Sequence, residues 1–272
     1  MEFTKKFLRA KSPCADGFRW FSRHVEDGSG YQQALDTLVN AGRVGDACWL
    51  LSQFGPTNEV LTVDRLEADA VVFAGTLVVR GPVEVSGVLQ TGRSIRAGGG
   101  LRAGGSIVAG EDIRVAGGIV SQGPLQVGGD LRAGWDLVCH GNLLLKGGAF
   151  VGQDLIAHGA VECDKGLRVG GHLTGAGSVR VGQGIWVGGA ISGVQHLEAG
   201  WGIKAGESIH AKGAIKAGES LSAGEDICAG EGYGVFAGLN VQVDTWDASA
   251  QVWARQLPER LRSGLWLGPC PV

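Results

Sequence analysis

Apolar residues recur along this chain at every sixth position. From Val71 the series runs through Leu77, Val83, Leu89, Ile95, Leu101, Ile107, Ile113 and Ile119. It continues in the same phase through Leu143, Leu173 and Ile209 to Leu239, and only Ala149 and Tyr233 depart from a branched aliphatic. Two residues after most members stands a smaller apolar residue, as at Ala97, Ala103, Ala109, Val115, Val127, Ala133, Cys139, Val151, Ala157 and Cys163. Side chains two apart in an extended segment point to the same side. Each unit therefore reads as a short strand with one large and one small residue facing inward, followed by a glycine-rich bend. Three units close a triangular coil of 18 residues, and stacked coils share backbone hydrogen bonds across about 4.8 Å. The spacing predicts a mainly β fold: a single-stranded, three-sided parallel β-helix of about nine coils over residues 65–241.

A period of six also fits the left-handed helix of hexapeptide acyltransferases, where the usual order is small, x, large, Gly. Here the order is large, x, small, Gly, as in Ile107-Val108-Ala109-Gly110 and Ile203-Lys204-Ala205-Gly206, and no loop insertions interrupt it. In that order residues 71–239 resemble the right-handed β-helix of bactofilins, the polymer-forming cytoskeletal proteins of bacteria. The resemblance implies a right-handed coil and a self-assembling scaffold. Bactofilin flanks are typically short and unstructured, which leaves the coil ends free to polymerise, and this chain differs there.

Residues 1–64 follow a helical pattern. Ser12-Pro13 is a helix-start signal, and Cys14, Phe18, Phe21 and Val25 can share a face. A second helix is expected from Tyr31 through Leu35, Leu38 and Val39 to a stop at Gly42, and a third across Ala47, Trp49, Leu50, Leu51 and Phe54 before Gly55-Pro56. Such a block can cover the open edge of the first coil. After Leu239 glycine thins out while Trp246, Trp253 and Trp266 appear among Pro258, Pro269 and Pro271, so residues 242–272 read as a cap on the other end.

Composition sharpens the picture. The 49 glycines among 272 residues are well above ordinary usage, but with only 7 prolines and no Gly-X-Y triplet the excess must serve a regular non-collagen fold. A net charge of -3 predicts no global pull toward nucleic acid or anionic membrane. With no apolar stretch long enough for a signal peptide or a membrane span, a cytoplasmic protein is expected. The 6 cysteines lie far apart with no C-x-x-C pair, which reads as reduced thiols rather than disulfides or a zinc site.

Residues 18 apart stack on adjacent coils, so outward columns can be read directly. One column is Val78, Arg96, Arg114, Arg132, Phe150, Arg168, Trp186 and Lys204, with Asp112 and Asp130 placed to neutralise two of its arginines in part. Like charges stacked across strands cost stability. The strip suits an acidic protein surface, or a phosphate backbone with stacked bases; the competing reading is a solvated face whose aromatics the chain's own tail covers. A neighbouring column, Glu162, Arg180, Glu198 and Lys216, alternates in sign and simply supports stacking. A third places Val120, Val138 and Ile156 outward, as a partner or dimer contact or as a surface under one of the caps. Trp135 and Trp201 stand at corners where glycine is normal.

The case for chemistry is thin. His140 and His158 stack at one corner, and Asp136, Asp154 and His172 at another, but the columns lie at opposite ends of the same short strand, about 13 Å apart by strand rise. No shared metal site and no cofactor is expected. Cys139 and Cys163 fall in the inward series, and no nucleophile–base arrangement can be argued from spacing. The expectation is a non-enzymatic protein with a protein partner, most specifically a bacterial immunity protein neutralising a toxin enzyme. The alternatives are a bactofilin-like scaffold that self-associates and, less favoured, a nucleic-acid partner.

Overall fold

The computed structural model describes residues 5–26, 28–242 and 244–270. A parallel β-solenoid of about 12 turns occupies most of it, preceded by a helical layer. Almost every strand is three residues long, and the strands assemble into three parallel sheets. Face one gathers 12 strands from Val60–Val63 to Leu265–Gly268, face two gathers 10 from Leu66–Ala68 to Ile227–Cys228, and face three gathers 11 from Val71–Phe73 to Leu261–Ser263. Through the body of the rod each residue pairs with its counterpart 18 positions on, as in Ile113 with Leu131, Ile119 with Leu137 and Leu125 with Leu143.

The every-sixth residues fill the interior. Leu77, Leu89, Ile95, Ile107, Ile113, Ile119 and Leu125 have no solvent exposure, and the smaller series lies beside them in one continuous core. Where that series turns polar, a side-chain donor reaches a corner carbonyl. Thr91 donates to the Arg93 carbonyl at 2.9 Å and Ser121 to the Gly123 carbonyl at 2.9 Å, while the Cys139 and Cys163 thiols approach the Gly141 and Gly147 carbonyls. Satisfying those donors is what lets polar atoms sit in a dry core.

At many of the bends that follow a strand, glycine answers to close approach. A Cβ on Gly128 would lie 2.1 Å from the carbonyl oxygen of Gly110 on the coil above, and Gly110 has the same relation to Gly92. Among the described residues 60–227 only Gly193 has a positive φ, +78°. It forms a bulge, so that Val194 takes the inward place and pairs with Ala211.

The six-residue phase holds to Ile227 and then fails. Tyr233 and Leu239, the last two members expected in the core, are 46% and 52% exposed. Val235 takes the place of Tyr233, pairing Ile215, and Val252 takes that of Leu239, pairing Leu221. Extra residues enter at Gly232 (φ +80°) and across a short helix, Trp246–Ser249. The tail thus ends the rod by extending it: Gln251–Trp253 and Leu265–Gly268 add to face one, and Leu261–Ser263 adds to face three. Arg255 fastens the tail to Glu225 at 2.9 Å, and hydrogen bonds from Ser208 and Arg255 hold the Glu225 carboxyl below its ordinary range.

The helical layer comprises α1 (Lys5–Arg9), α2 (Ala15–His24), α3 (Tyr31–Asn40) and α4 (Val44–Phe54). The last three match the expected helices, whereas α1 was not foreseen. The cap of α2 is Cys14, whose sulfur accepts from the Gly17 N–H at 3.2 Å, rather than Ser12, which adopts φ +52°. Solenoid pairing begins at Val60, slightly earlier than the boundary read near residue 64. Leu35, Leu38, Leu50 and Leu51 pack with Phe21 and with Val72 and Ala74 of the first coil. Gln32 acts there as a surrogate strand. Its amide donates to the Val72 carbonyl at 3.0 Å and accepts from the Ala74 N–H at 2.8 Å, pairing the open edge of face three.

Replacing Gln32 with Leu leaves both edge groups unpaired and is expected to cost about 1–2 kcal/mol. The check is chemical denaturation together with amide exchange at Ala74, which should accelerate while exchange in the central coils stays unchanged.

Candidate functional site

The column read from the sequence is a physical ladder on face one. Val78 pairs with Arg96, Arg96 with Arg114, Arg114 with Arg132, Arg132 with Phe150, Phe150 with Arg168, Arg168 with Trp186 and Trp186 with Lys204. All seven residues from Arg96 to Lys204 stand outward, one per strand, because the residues on either side of each are inward core positions. The column continues to Ser222 and Trp253.

Two aromatics relieve the repulsion that such a ladder would otherwise build up. The Arg132 guanidinium lies 4.8 Å from the centre of the Phe150 ring, and that of Arg168 lies 4.5 Å from the Trp186 ring. Each aromatic separates two cations and presents a π face to one of them. Arg114 has a different solution, an ion pair with Asp112 at 3.1 Å. Among the described residues Arg96, Arg132, Arg168 and Lys204 have no anionic partner. Asp130, expected to balance Arg132, instead accepts the Gly148 N–H at 2.8 Å and faces Lys165 at 3.8 Å.

That bond belongs to a general corner device. Asp112, Asp130, Asp136, Asn142, Asp154, His172 and His196 each accept the backbone N–H of the residue 18 positions later, at 2.7–3.1 Å. The column Asp136, Asp154 and His172 is thereby committed to holding coils together. His140 and His158 stack as expected, ring centres 4.6 Å apart. Burial pushes the Cys139 and Cys163 thiols up in pKa, away from the thiolate form that nucleophilic chemistry needs.

The second patch is also a true column, with Val120 paired to Val138 and Val138 to Ile156 on face two. Neither end covers it, since the helices pack on the first coil and the tail strands on the last ones. Trp135 occupies the corner between Arg132 on face one and Val138 on face two and is 62% exposed. In sequence it lies between the two patches, at the corner they share. Trp201, 44% exposed, stands on the opposite corner of face one, beside the Lys204 strand.

Two features were not foreseen. Val108 and Leu144 stand outward on face three around Gln126, a groove that the same 18-residue step would have disclosed. Within the helical layer a cavity of about 190 Å³ is lined by Leu8, Cys14, Phe21, Leu38, Trp49 and Leu50. It arises from how the helices cross, which no local pattern encodes.

Residues 1–55 match a family model described as the YdhT N-terminal domain. The match covers the helical layer and stops before the first solenoid strand. No curated protein and no solved structure matches the chain.

The Arg132–Phe150 contact is expected to contribute about 0.5–1 kcal/mol. A double-mutant cycle of Arg132→Gln and Phe150→Leu, read by denaturation midpoints, measures that coupling; additive effects would mean the stacking supplies no stability.

Proposed function

We propose that this chain is a non-catalytic protein-binding rod that engages an acidic partner through face one. In its most specific form it is a bacterial immunity protein whose partner is a toxin enzyme. The observation behind the reading is the column of four uncompensated cations interleaved with stacked aromatics. A stacking ladder needs no such composition, and Glu162, Arg180, Glu198 and Lys216 show the balanced alternative on face three, with Arg180 3.7 Å from Glu198. Unpaired arginines and exposed tryptophans are the residue types that dominate binding energy at protein interfaces.

Rigidity favours the same use. Side chains fixed to a hydrogen-bonded rod lose little further freedom on binding, and an inhibitor needs a complementary surface rather than chemistry of its own. Trp135 and the Val120, Val138, Ile156 column extend the surface around the corner with apolar area. Self-association through that apolar column is the second reading, and end-to-end assembly is disfavoured by the helical layer on the first coil.

Exchange of Arg114, Arg132 and Arg168 for Glu is expected to abolish capture of the partner from native-host extract while the β-sheet spectrum is retained. The captured protein should be an enzyme that the wild-type rod inhibits stoichiometrically. Undiminished capture would remove face one as the site, and concentration-dependent filaments in sedimentation would favour the scaffold.

A further inference from the structure

The uncompensated cations on face one are evenly spaced. Arg96, Arg132, Arg168 and Lys204 stand 36 residues apart, which is two coils, or about 9.6 Å along the rod. The rungs between them are occupied by Arg114, neutralised by Asp112, then by Phe150 and Trp186. Free charge and uncharged or apolar surface therefore alternate at about 4.8 Å. Each strand contributes one outward side chain, so the column is single file and runs along the rod axis.

We infer that this column receives an acidic amphipathic α-helix of the partner protein, laid along the rod. The inference rests on the protein-binding reading of the same face. An α-helix advances about 5.4 Å per turn, and residues i and i+7 lie about 10.5 Å apart on one side. A helix with Glu or Asp at i, i+7 and i+14 and an apolar residue one turn after each acid meets the alternation in phase. The mismatch is about 0.9 Å per repeat, within the reach of an arginine side chain. The span from Arg96 to Lys204, six rungs or about 29 Å, matches a helix of about 20 residues. Each three-residue strand is about 10 Å long, comparable to the diameter of a helix.

Other occupants fit the spacing less well. In an extended peptide, side chains on one side recur at about 6.8 Å. A nucleic-acid strand offers phosphates about every 3.4 Å along a duplex axis, so it would bind the cations without regard to their period. Apolar partner residues one turn from each acid would meet Phe150 and Trp186, which phosphates would leave unused.

The test uses the full chain and synthetic peptides of about 24 residues on an alanine–glutamine background. One has Glu at heptad spacing with Leu one turn later. A second has the same composition with Glu every fifth residue, a third repeats the first with central prolines, and an oligothymidylate is the polyanion control. The heptad peptide is expected to bind at least about tenfold more tightly than the other three, and Arg132→Gln with Arg168→Gln should remove that advantage. Equal affinity for the first two peptides, indifference to proline, or tighter binding of the oligothymidylate would overturn the inference. If no peptide binds while partner capture still depends on Arg132 and Arg168, the helix fails and the protein-binding reading stands. If capture is indifferent to them as well, both fall.

Discussion

Backbone hydrogen bonds between coils, in a register fixed at 18 residues, are the constraint to which everything else in this rod answers. Leu125 must lie on Leu143 and Gly128 under Gly110, because the strands carrying them are paired. The interior is then a set of stacked columns, most of them aliphatic, with an occasional change of size such as Ala149 between Leu131 and Leu167. Glycine follows from the same condition, since the coil above leaves 2.1 Å for a Cβ at Gly128. Thr91, Ser121, Cys139 and Cys163 enter the core as donors short enough to meet a corner carbonyl. The helical layer and the tail complete the same bonding, with Gln32 standing in for a missing strand at one end and Gln251–Trp253 replacing lost phase at the other.

The constraint also acts outward, where its consequences are electrostatic. A charge on one coil has the corresponding residue of the next coil as its neighbour at about 4.8 Å. Face three meets this from Glu162 to Lys216 by alternating sign. Face one does so by inserting rings between cations and by one ion pair, leaving four charges uncompensated. The first arrangement is sufficient for stability and the second is not the minimal one. Composition beyond what stacking requires is the physical ground on which the proposed partner is placed at face one rather than at the charged end of face three.

Much of this was legible in the sequence because a solenoid converts spacing directly into contact. The column from Val78 to Lys204 and the trio Val120, Val138 and Ile156 were readable without coordinates, since a step of 18 is a hydrogen-bonded neighbour. The phase was misread where apolar residues hid an insertion. Tyr233 and Leu239 satisfy the pattern by residue type, yet Gly232 and the helix at Trp246–Ser249 had already shifted the chain, and Val235 and Val252 inherited the inward places. At Gly193 the opposite occurred: a bulge placed Val194 inward and the next corner absorbed it, so the six-residue count did not register the change. Hydrogen bonds were the least visible part. Nothing in the spacing of Asp136, Asp154 and His172 distinguishes a reactive column from one that ties coils together; that depends on where the corner N–H of the next coil points.

The corner residues bear on function because they decide which side of the rod can yield to a partner. Aspartates at 112, 130, 136 and 154 lie along the corners beside face one or face two, and each uses an oxygen on the backbone of the next coil. Their geometry is thereby fixed, which limits how far they can swing to neutralise the arginines beside them. Asp112 manages it for Arg114, whereas Asp130 leaves Arg132 to the Phe150 ring. A cation held by a ring rather than a carboxylate keeps its charge available, because the π face attracts it without offering an oxygen that an incoming acid must displace. The bonding that keeps the coils in register therefore also keeps the cations of face one open to an external anion.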